Sequence, residues 1–231
     1  QHLADAGASW IKVLATGGVG AGEAVEVPVF DELELKTILV TAARLNLPVM
    51  VHAWGGPALT QALRFGAASI EHAVLITEEQ CRLAADVGAF VVPTVWVYAD
   101  VLAMAEAGRL PSALVPAARR AVEAHPLAVR RCLEAGVSLA MGTDAGLDTQ
   151  HGRNLHELAA LIEAGVPADL ALLAGTSGGA RLLGRRDLGV IRPGAPADLV
   201  CFDADPSRPE VLRDPSHVVA VYVRGQLLHR A

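Results

Sequence analysis

Several patterns that reveal a protein's chemistry are missing from this 231-residue sequence. Its three cysteines (Cys81, Cys132 and Cys201) form no CxxC pair, which argues against a disulfide framework or a zinc ribbon and favours reduced thiols in the core. No GxGxxG motif follows a predicted strand, which counts against a dinucleotide-binding fold. The net charge of −6, without a basic stripe, argues against nucleic-acid binding.

Long apolar runs are also missing. The most apolar uncharged stretch, 87–99, is shorter than the ~20 residues that a bilayer-spanning helix needs, so we expect no membrane association. No signal peptide is visible, and we expect a cytoplasmic protein. The sequence starts at Gln1, within what reads as a domain, and we therefore expect its N-terminal part to be missing.

The residues that are present predict a substantial core and an alternation of strands and helices. Hydrophobic residues make up 52% of the chain and charged residues 19%. Strands are predicted at 10–15, 48–53, 68–72, 89–95 and 137–142. Helices are predicted at 31–46, 57–65, 77–87, 99–135 and 154–183, the fourth broken at Pro111, Pro116 and Pro126 and the fifth near 165–167 and 175–179. Two helix starts carry capping-box sequences, Asp31 with Glu34 and Thr77 with Gln80.

Such alternation predicts an α/β fold with a parallel sheet covered by helices. We expect a partial (β/α)8 TIM barrel in residues 1–184, because five of its eight units can be counted. After Gly184 the pattern changes to short strands with glycine and proline turns. Residues 185–231 are therefore predicted to be part of a small β-sandwich domain, too small to be stable alone.

Polar residues lie at or near the ends of four predicted strands: Lys12, His52, His72 and Asp144. Catalytic residues of a barrel lie at the carboxyl ends of its strands, where the loops open. Alternation predicts that these side chains share the inner face with Leu14, Met50 and Ile70, and that Glu71 points the other way. Each residue alone has an ordinary structural explanation, but four in successive strands predict a site.

A group of sequence stretches resembles the amidohydrolase superfamily of metal-dependent hydrolases, from about residue 7 to the end. The matching stretches are GASWIKVLATGGV, VHAWGG, GAASIEHAVLI, VPTVWVY, GTDAG, HGRNLHELAALIEAGVP and DLGVIRPGAPADLVCFDADP. The combination is most similar to the branch that contains imidazolonepropionase-like proteins and prolidase-like and arginine-carboxypeptidase-like dipeptidases.

The resemblance implies a metal centre with a CO2-carboxylated lysine. By position, Lys12 would be that lysine and would bridge two divalent metals, most simply zinc. His52 and His72 would bind the more exposed metal, and Asp144 would bind the other and shuttle protons. A lysine within an apolar strand is expected to be held neutral, and only a neutral amine attacks CO2. A metal-activated hydroxide would then cleave an amide bond of a dipeptide or an N-acyl amino acid.

The sequence departs from this family in one important respect. The family's strand-1 HxH pair, which also binds the buried metal, does not occur in this chain. Three hypotheses follow: a binuclear hydrolase, a mononuclear imidazolonepropionase-like or deaminase-like enzyme with Lys12 unmodified, and a truncated chain inactive without its missing N-terminal segment. We also expect a homo-oligomer, or completion by that segment, because a half-barrel exposes apolar edges.

Two further residues are candidates for contact with a substrate. Tyr98 would donate a hydrogen bond from the loop after the fourth strand, although an interfacial aromatic explains it equally well. His151, in the loop after Asp144, resembles a family-typical position. Arg153 would bind a substrate carboxylate or form a surface salt bridge. The remaining histidines toward the C-terminus are expected to be structural: His125, His156, His217 and His229.

Overall fold

A computed structural model describes residues 2–21 and 24–231 and divides the chain into two compact units. The first unit extends to Leu139 and the second is Ala140–Ala231. The boundary predicted after Gly184 therefore falls inside the second unit. No helix of the residues described combines the length and the apolar character that crossing a bilayer requires.

The first unit is built on a five-stranded parallel sheet whose strands lie in chain order. The strands are β1 (Ile11–Leu14), β2 (Val49–Ala53), β3 (Ser69–His72), β4 (Phe90–Val92) and β5 (Ser138–Leu139). This confirms the predicted α/β class. All five strands are shorter than predicted, most of all β4, which ends before Pro93, and β5, which ends before Ala140.

The helices of this unit are α1 (His2–Asp5), α2 (Glu32–Arg44), α3 (Gly56–Arg64), α4 (Glu78–Val87), α5 (Val95–Glu106) and α6 (Val115–Glu134). Both predicted capping boxes are present, at Asp31 with Glu34 and at Thr77 with Gln80. The predicted break at Pro126 is wrong: α6 continues through this proline, which leaves only one backbone hydrogen bond unmade.

The two faces of the sheet differ in burial. One face carries Val13, Val51, Ile70, Val91 and Leu139, and all five are buried. The other face, called the inner face below, is defined by Lys12, Leu14, Met50, His52, Ser69, Glu71, Phe90, Val92 and Ser138. Lys12 and Leu14 on the inner face are exposed.

The core contains a thiol pair that the spacing of the cysteines did not reveal. Cys81 on α4 and Cys132 on α6 are both buried, with their Sγ atoms 3.7 Å apart. Both are reduced, in agreement with the expectation of core thiols. Their mutual hydrogen bond lowers the pKa of Cys81 and raises the pKa of Cys132.

The second unit combines short helices with a three-stranded antiparallel sheet. Its elements are α7 (Leu155–Glu163), α8 (Ala168–Leu173), α9 (Gly179–Leu182), β6 (Leu199–Phe202), α10 (Pro209–Arg213), β7 (Val218–Val223) and β8 (Gln226–Arg230). Leu158 and Ala159 of α7 pack with Leu212 of α10. The Arg213 guanidinium donates two hydrogen bonds to the carboxylate of Glu163, which joins the same two helices.

Candidate metal centre

Two histidines lie side by side at the carboxyl ends of β2 and β3. The ring centroids of His52 and His72 are 4.4 Å apart and the rings meet edge to face. Only 8% of His52 and 3% of His72 is exposed. The structure thus brings together two of the predicted site residues in one buried position.

A backbone carbonyl fixes the ring of His52. Its Nε2 lies 3.0 Å from the carbonyl oxygen of Gly17. Because a carbonyl only accepts, Nε2 carries the hydrogen and donates it, so a metal bound by His52 would use Nδ1. Gly18 lets this loop approach closely: a Cβ there would lie 3.1 Å from Cε1 of the ring.

His72 reaches the inner side through an unusual backbone conformation. Its φ is +75°, and Ala73 and Thr94 also have positive φ, +50° and +55°. Such conformations are uncommon without glycine, and they concentrate at functional sites. Nδ1 of His72 lies 2.7 Å from the hydroxyl of Thr94. If Nδ1–H donates to this hydroxyl, Nε2 is the nitrogen that would bind a metal, the usual arrangement for a metal-binding histidine.

The electrostatic surroundings keep His72 neutral. Burial is the largest cause that lowers its pKa well below the usual range, and the nearby His52, Lys12 and His125 lower it further. A neutral imidazole is the form that binds metals.

The side chain of Lys12 is exposed, although the strand around it is apolar. Lys12 pairs with Met50 and Leu14 pairs with His52, so Lys12 shares the inner face with His52. Its position on this face agrees with the prediction, whereas burial cannot be the reason for a neutral amine.

The predicted orientation of β3 is also wrong. Glu71 pairs with His52 and Ser69 pairs with Met50, so Glu71 lies on the inner face and Ile70 on the opposite one. The hydroxyl of Ser69 donates to the carboxylate of Glu71, as two residues on one face can. Alternation of side chains along β3 does not extend to His72, because the left-handed backbone of this residue interrupts it.

Tyr98 lies in α5 and is buried, rather than lying in a loop as predicted. Its ring centroid is 5.8 Å from His72, 5.3 Å from Trp54 and 5.2 Å from His125. Trp54 and Tyr98 also belong to an apolar cluster with Val25, Val74, Val97, Ala117 and Ala121. Tyr98 is therefore part of an aromatic cluster with Trp54 and His125 that lies against His72.

The sequence predicts a purely structural role for His125. In the structure His125 belongs to this aromatic cluster. It is fully buried on α6. Burial lowers its pKa to about 4, against smaller opposing effects of the backbone of His72 and Pro93. No motif marks His125, and its only signal in the sequence is a histidine within the apolar stripe of a helix.

Asp144 and His151 belong to the second unit. Both side chains are exposed. Asp144 has φ of +52°, which is again a left-handed conformation. The buried Gln150 holds the loop after it, because its Oε1 accepts hydrogen bonds from the backbone N–H groups of Gly146 and Leu147.

The residues of the first unit fit part of a metal centre. Two imidazoles, each with one ring nitrogen held by a neighbour, are suitable donors for Zn²⁺ and similar ions. Within residues 2–21 and 24–231, however, no three His, Cys, Asp or Glu side chains are grouped as a metal site.

Comparison with known proteins gives a consistent result. The model of the Amidohydrolase family matches residues 1–228. Imidazolonepropionase of Rhodococcus jostii is 30% identical over 202 residues, 85% of this chain and 42% of that protein. Ochratoxinase of Aspergillus niger is 30% identical over 226 residues, 96% of this chain and 46% of that protein.

A solved structure of an Xaa-Pro dipeptidase with methionine bound in its active site is similar in fold. It is 31% identical with a TM-score of 0.87, and the match covers 99% of this chain and 56% of the dipeptidase. The chain spans about half the length of the curated relatives it matches.

Proposed function

This chain belongs to the Amidohydrolase family, and we propose that it hydrolyses amide C–N bonds of dipeptides or N-acyl amino acids at a divalent metal centre. His52, His72, Lys12 and Asp144 are the proposed ligands. The observation that carries the proposal is the pair of buried histidines 4.4 Å apart, each oriented by a hydrogen bond on one ring nitrogen.

A divalent metal supplies Lewis acidity to the substrate carbonyl and lowers the pKa of a water nucleophile. The role of the chain is to hold and to move a proton. Asp144 is proposed to accept the proton of the attacking water and to pass it to the leaving nitrogen. This role rests on the place of Asp144 in the family motif GTDAG and on its exposed carboxylate.

Lys12 is proposed to act as a carbamate. An exposed ε-amine is accessible to CO2, and carboxylation would replace its positive charge on the inner face with an anion. That anion would add oxygen ligands to the two imidazole nitrogens. Tyr98 and His151 are proposed to contact the substrate.

The finer architecture is also part of the proposal. The five parallel strands would correspond to the last five of an eight-stranded barrel, and β6–β8 to part of a β-sandwich. Further strands, from a preceding segment or a second copy of this chain, would then complete both. A cytoplasmic location remains a proposal.

The relatives support the proposed substrate class. The Xaa-Pro dipeptidase supports cleavage of a bond next to an amino acid. The similarity to imidazolonepropionase favours a second candidate, a mononuclear hydrolase with Lys12 unmodified. Metal stoichiometry separates these candidates, since the first needs two ions and the second needs one.

The first experiment measures metal per chain by mass spectrometry after purification with zinc and bicarbonate. It is followed by assays on Xaa-Pro dipeptides and N-acyl amino acids. About two ions with hydrolysis support the binuclear enzyme, and one ion with hydrolysis supports the mononuclear one. Absence of both metal and hydrolysis would contradict the proposal for this chain.

The carbamate has its own test, because the sequence contains only two lysines, Lys12 and Lys36. Protein equilibrated with ¹³C-bicarbonate should show one carbamate carbon signal in NMR spectra. We expect Lys12→Ala to abolish this signal and Lys36→Ala, on the exposed side of α2, to leave it. A signal that survives Lys12→Ala would exclude the assignment.

A further inference from the structure

His125 has an environment that stability alone does not explain. It is fully buried on α6, and within residues 2–21 and 24–231 neither Nδ1 nor Nε2 makes a hydrogen bond of normal geometry, although weak hydrogen bonds to the backbone of His72 and Pro93 act on the ring. Buried polar groups without partners are rare in native proteins. An apolar side chain of similar shape would avoid the cost of burying these nitrogens.

The neighbours of His125 indicate what it serves. Its ring lies 5.2 Å from that of Tyr98, tilted by 48°. On another side, Trp54 meets Tyr98 at 5.3 Å and a right angle, and the buried indole nitrogen of Trp54 also has no partner in the part of the chain that is described. Tyr98 in turn lies 5.8 Å from His72.

Tyr98 thus contacts the rings of both Trp54 and His125, and each of these rings carries a buried nitrogen without a partner of normal geometry in the part of the chain that is described. We propose that His125 is a positioning residue: it fixes the ring of Tyr98 beside His72, so that the phenol is oriented for the substrate. This inference rests on the proposed function, because Tyr98 is proposed to contact the substrate. His125 itself touches neither the substrate nor the metal.

A spectroscopic experiment tests this arrangement without any activity. The chain has two tyrosines, Tyr98 and Tyr222, so ¹³Cζ-tyrosine labelling should give two NMR signals, assigned with Tyr222→Phe. We expect His125→Leu to shift the Tyr98 signal and leave the Tyr222 signal in place. His125→Gln, which restores a polar group, should move the Tyr98 signal part of the way back.

Thermal unfolding and steady-state kinetics provide the second measurement. We expect His125→Leu to leave Tm unchanged or raised, since it removes a buried unpartnered group. Its kcat/KM on an Xaa-Pro dipeptide should fall at least about tenfold through misplacement of Tyr98, with metal content unchanged. In a Tyr98→Phe background, the same substitution should have no further effect on kcat/KM, because its action passes through the phenol.

The outcomes separate the two proposals. If wild-type protein hydrolyses no tested amide but the Tyr98 signal shifts as expected, the proposed function fails and the positioning role stands. If His125→Leu lowers Tm sharply, or leaves the Tyr98 signal in place, His125 is structural and the inference is wrong. Additive losses of kcat/KM in the double variant would also overturn it.

Discussion

The hydroxyl of Thr94 lies 2.7 Å from Nδ1 of His72, so Thr94, in the loop after β4, orients the histidine ring at the end of β3. Thr94 is the N-cap residue of α5, yet its side chain makes no capping hydrogen bond. A threonine in this position usually stabilises its helix by about 1 kcal/mol through such a bond. Thr94 instead directs its hydroxyl to His72, from a left-handed conformation that is unusual for a β-branched residue.

Removal of this hydroxyl should weaken metal binding. We expect Thr94→Ala to reduce zinc affinity by about 10- to 100-fold, because the His72 ring loses the group that fixes its tautomer. Thr94→Ser keeps the hydroxyl and is the matched control. Competition with a chromophoric chelator measures both, and a Thr94→Ala protein that binds zinc as tightly as wild type would show that another group orients His72.

The loop beneath His52 offers an independent test of the same site. Gly18→Ala would place a Cβ 3.1 Å from Cε1 and 3.4 Å from Nε2 of His52, so the ring has to move. We expect weaker zinc binding in the chelator competition. Gly20→Ala is the control, since a Cβ there meets nothing within 4 Å. Equal effects of the two substitutions would mean that the contact with His52 is unimportant.

The buried histidines predict how stability depends on pH in metal-free protein. The pKa of His125 is about 4 in the folded state against an ordinary value of 6.5, and that of His72 is lowered too. The unfolded chain therefore binds more protons between these values, so stability is full above pH 6.5 and falls as the pH drops toward 4. His125 alone accounts for a loss of about 3 kcal/mol.

Urea unfolding at a series of pH values measures this loss. We expect His125→Leu to flatten the decline between pH 6.5 and 4, because the group that resists protonation is gone. The exposed His229 provides the control, and His229→Gln should leave the decline in place. An unchanged slope in His125→Leu would show that His125 does not resist protonation in the folded state.

Local sequence signals predicted most of the elements and the meeting of two histidines. Period-2 apolar runs located the strands, and the capping boxes at Asp31 and Thr77 located two helix starts. The histidines at two strand ends meet because neighbouring parallel strands bring their carboxyl ends together. These features depend on a few adjacent residues, which is why they can be read from the sequence.

Long-range and conformational features could not be predicted in this way. His125 reaches Tyr98 only because α6 packs against α5. Glu71 faces inward because the left-handed backbone of His72 breaks the alternation, and nothing in the sequence marks that conformation. The exposure of Lys12 depends on what covers the inner face, which the pattern of β1 itself does not specify.

Asp144 provides the sharpest test of the proton role. Asp144→Asn removes the basic oxygen but keeps a side chain that tolerates φ of +52°, so the fold and its stability should change little. We expect at least one metal to remain bound and kcat to fall by about 10²- to 10⁴-fold. Asp148→Asn, another exposed aspartate of the same loop, is the matched control and should keep its activity. Steady-state kinetics with metal analysis of both variants decides the question, because normal turnover by Asp144→Asn would rule out Asp144 as the proton carrier.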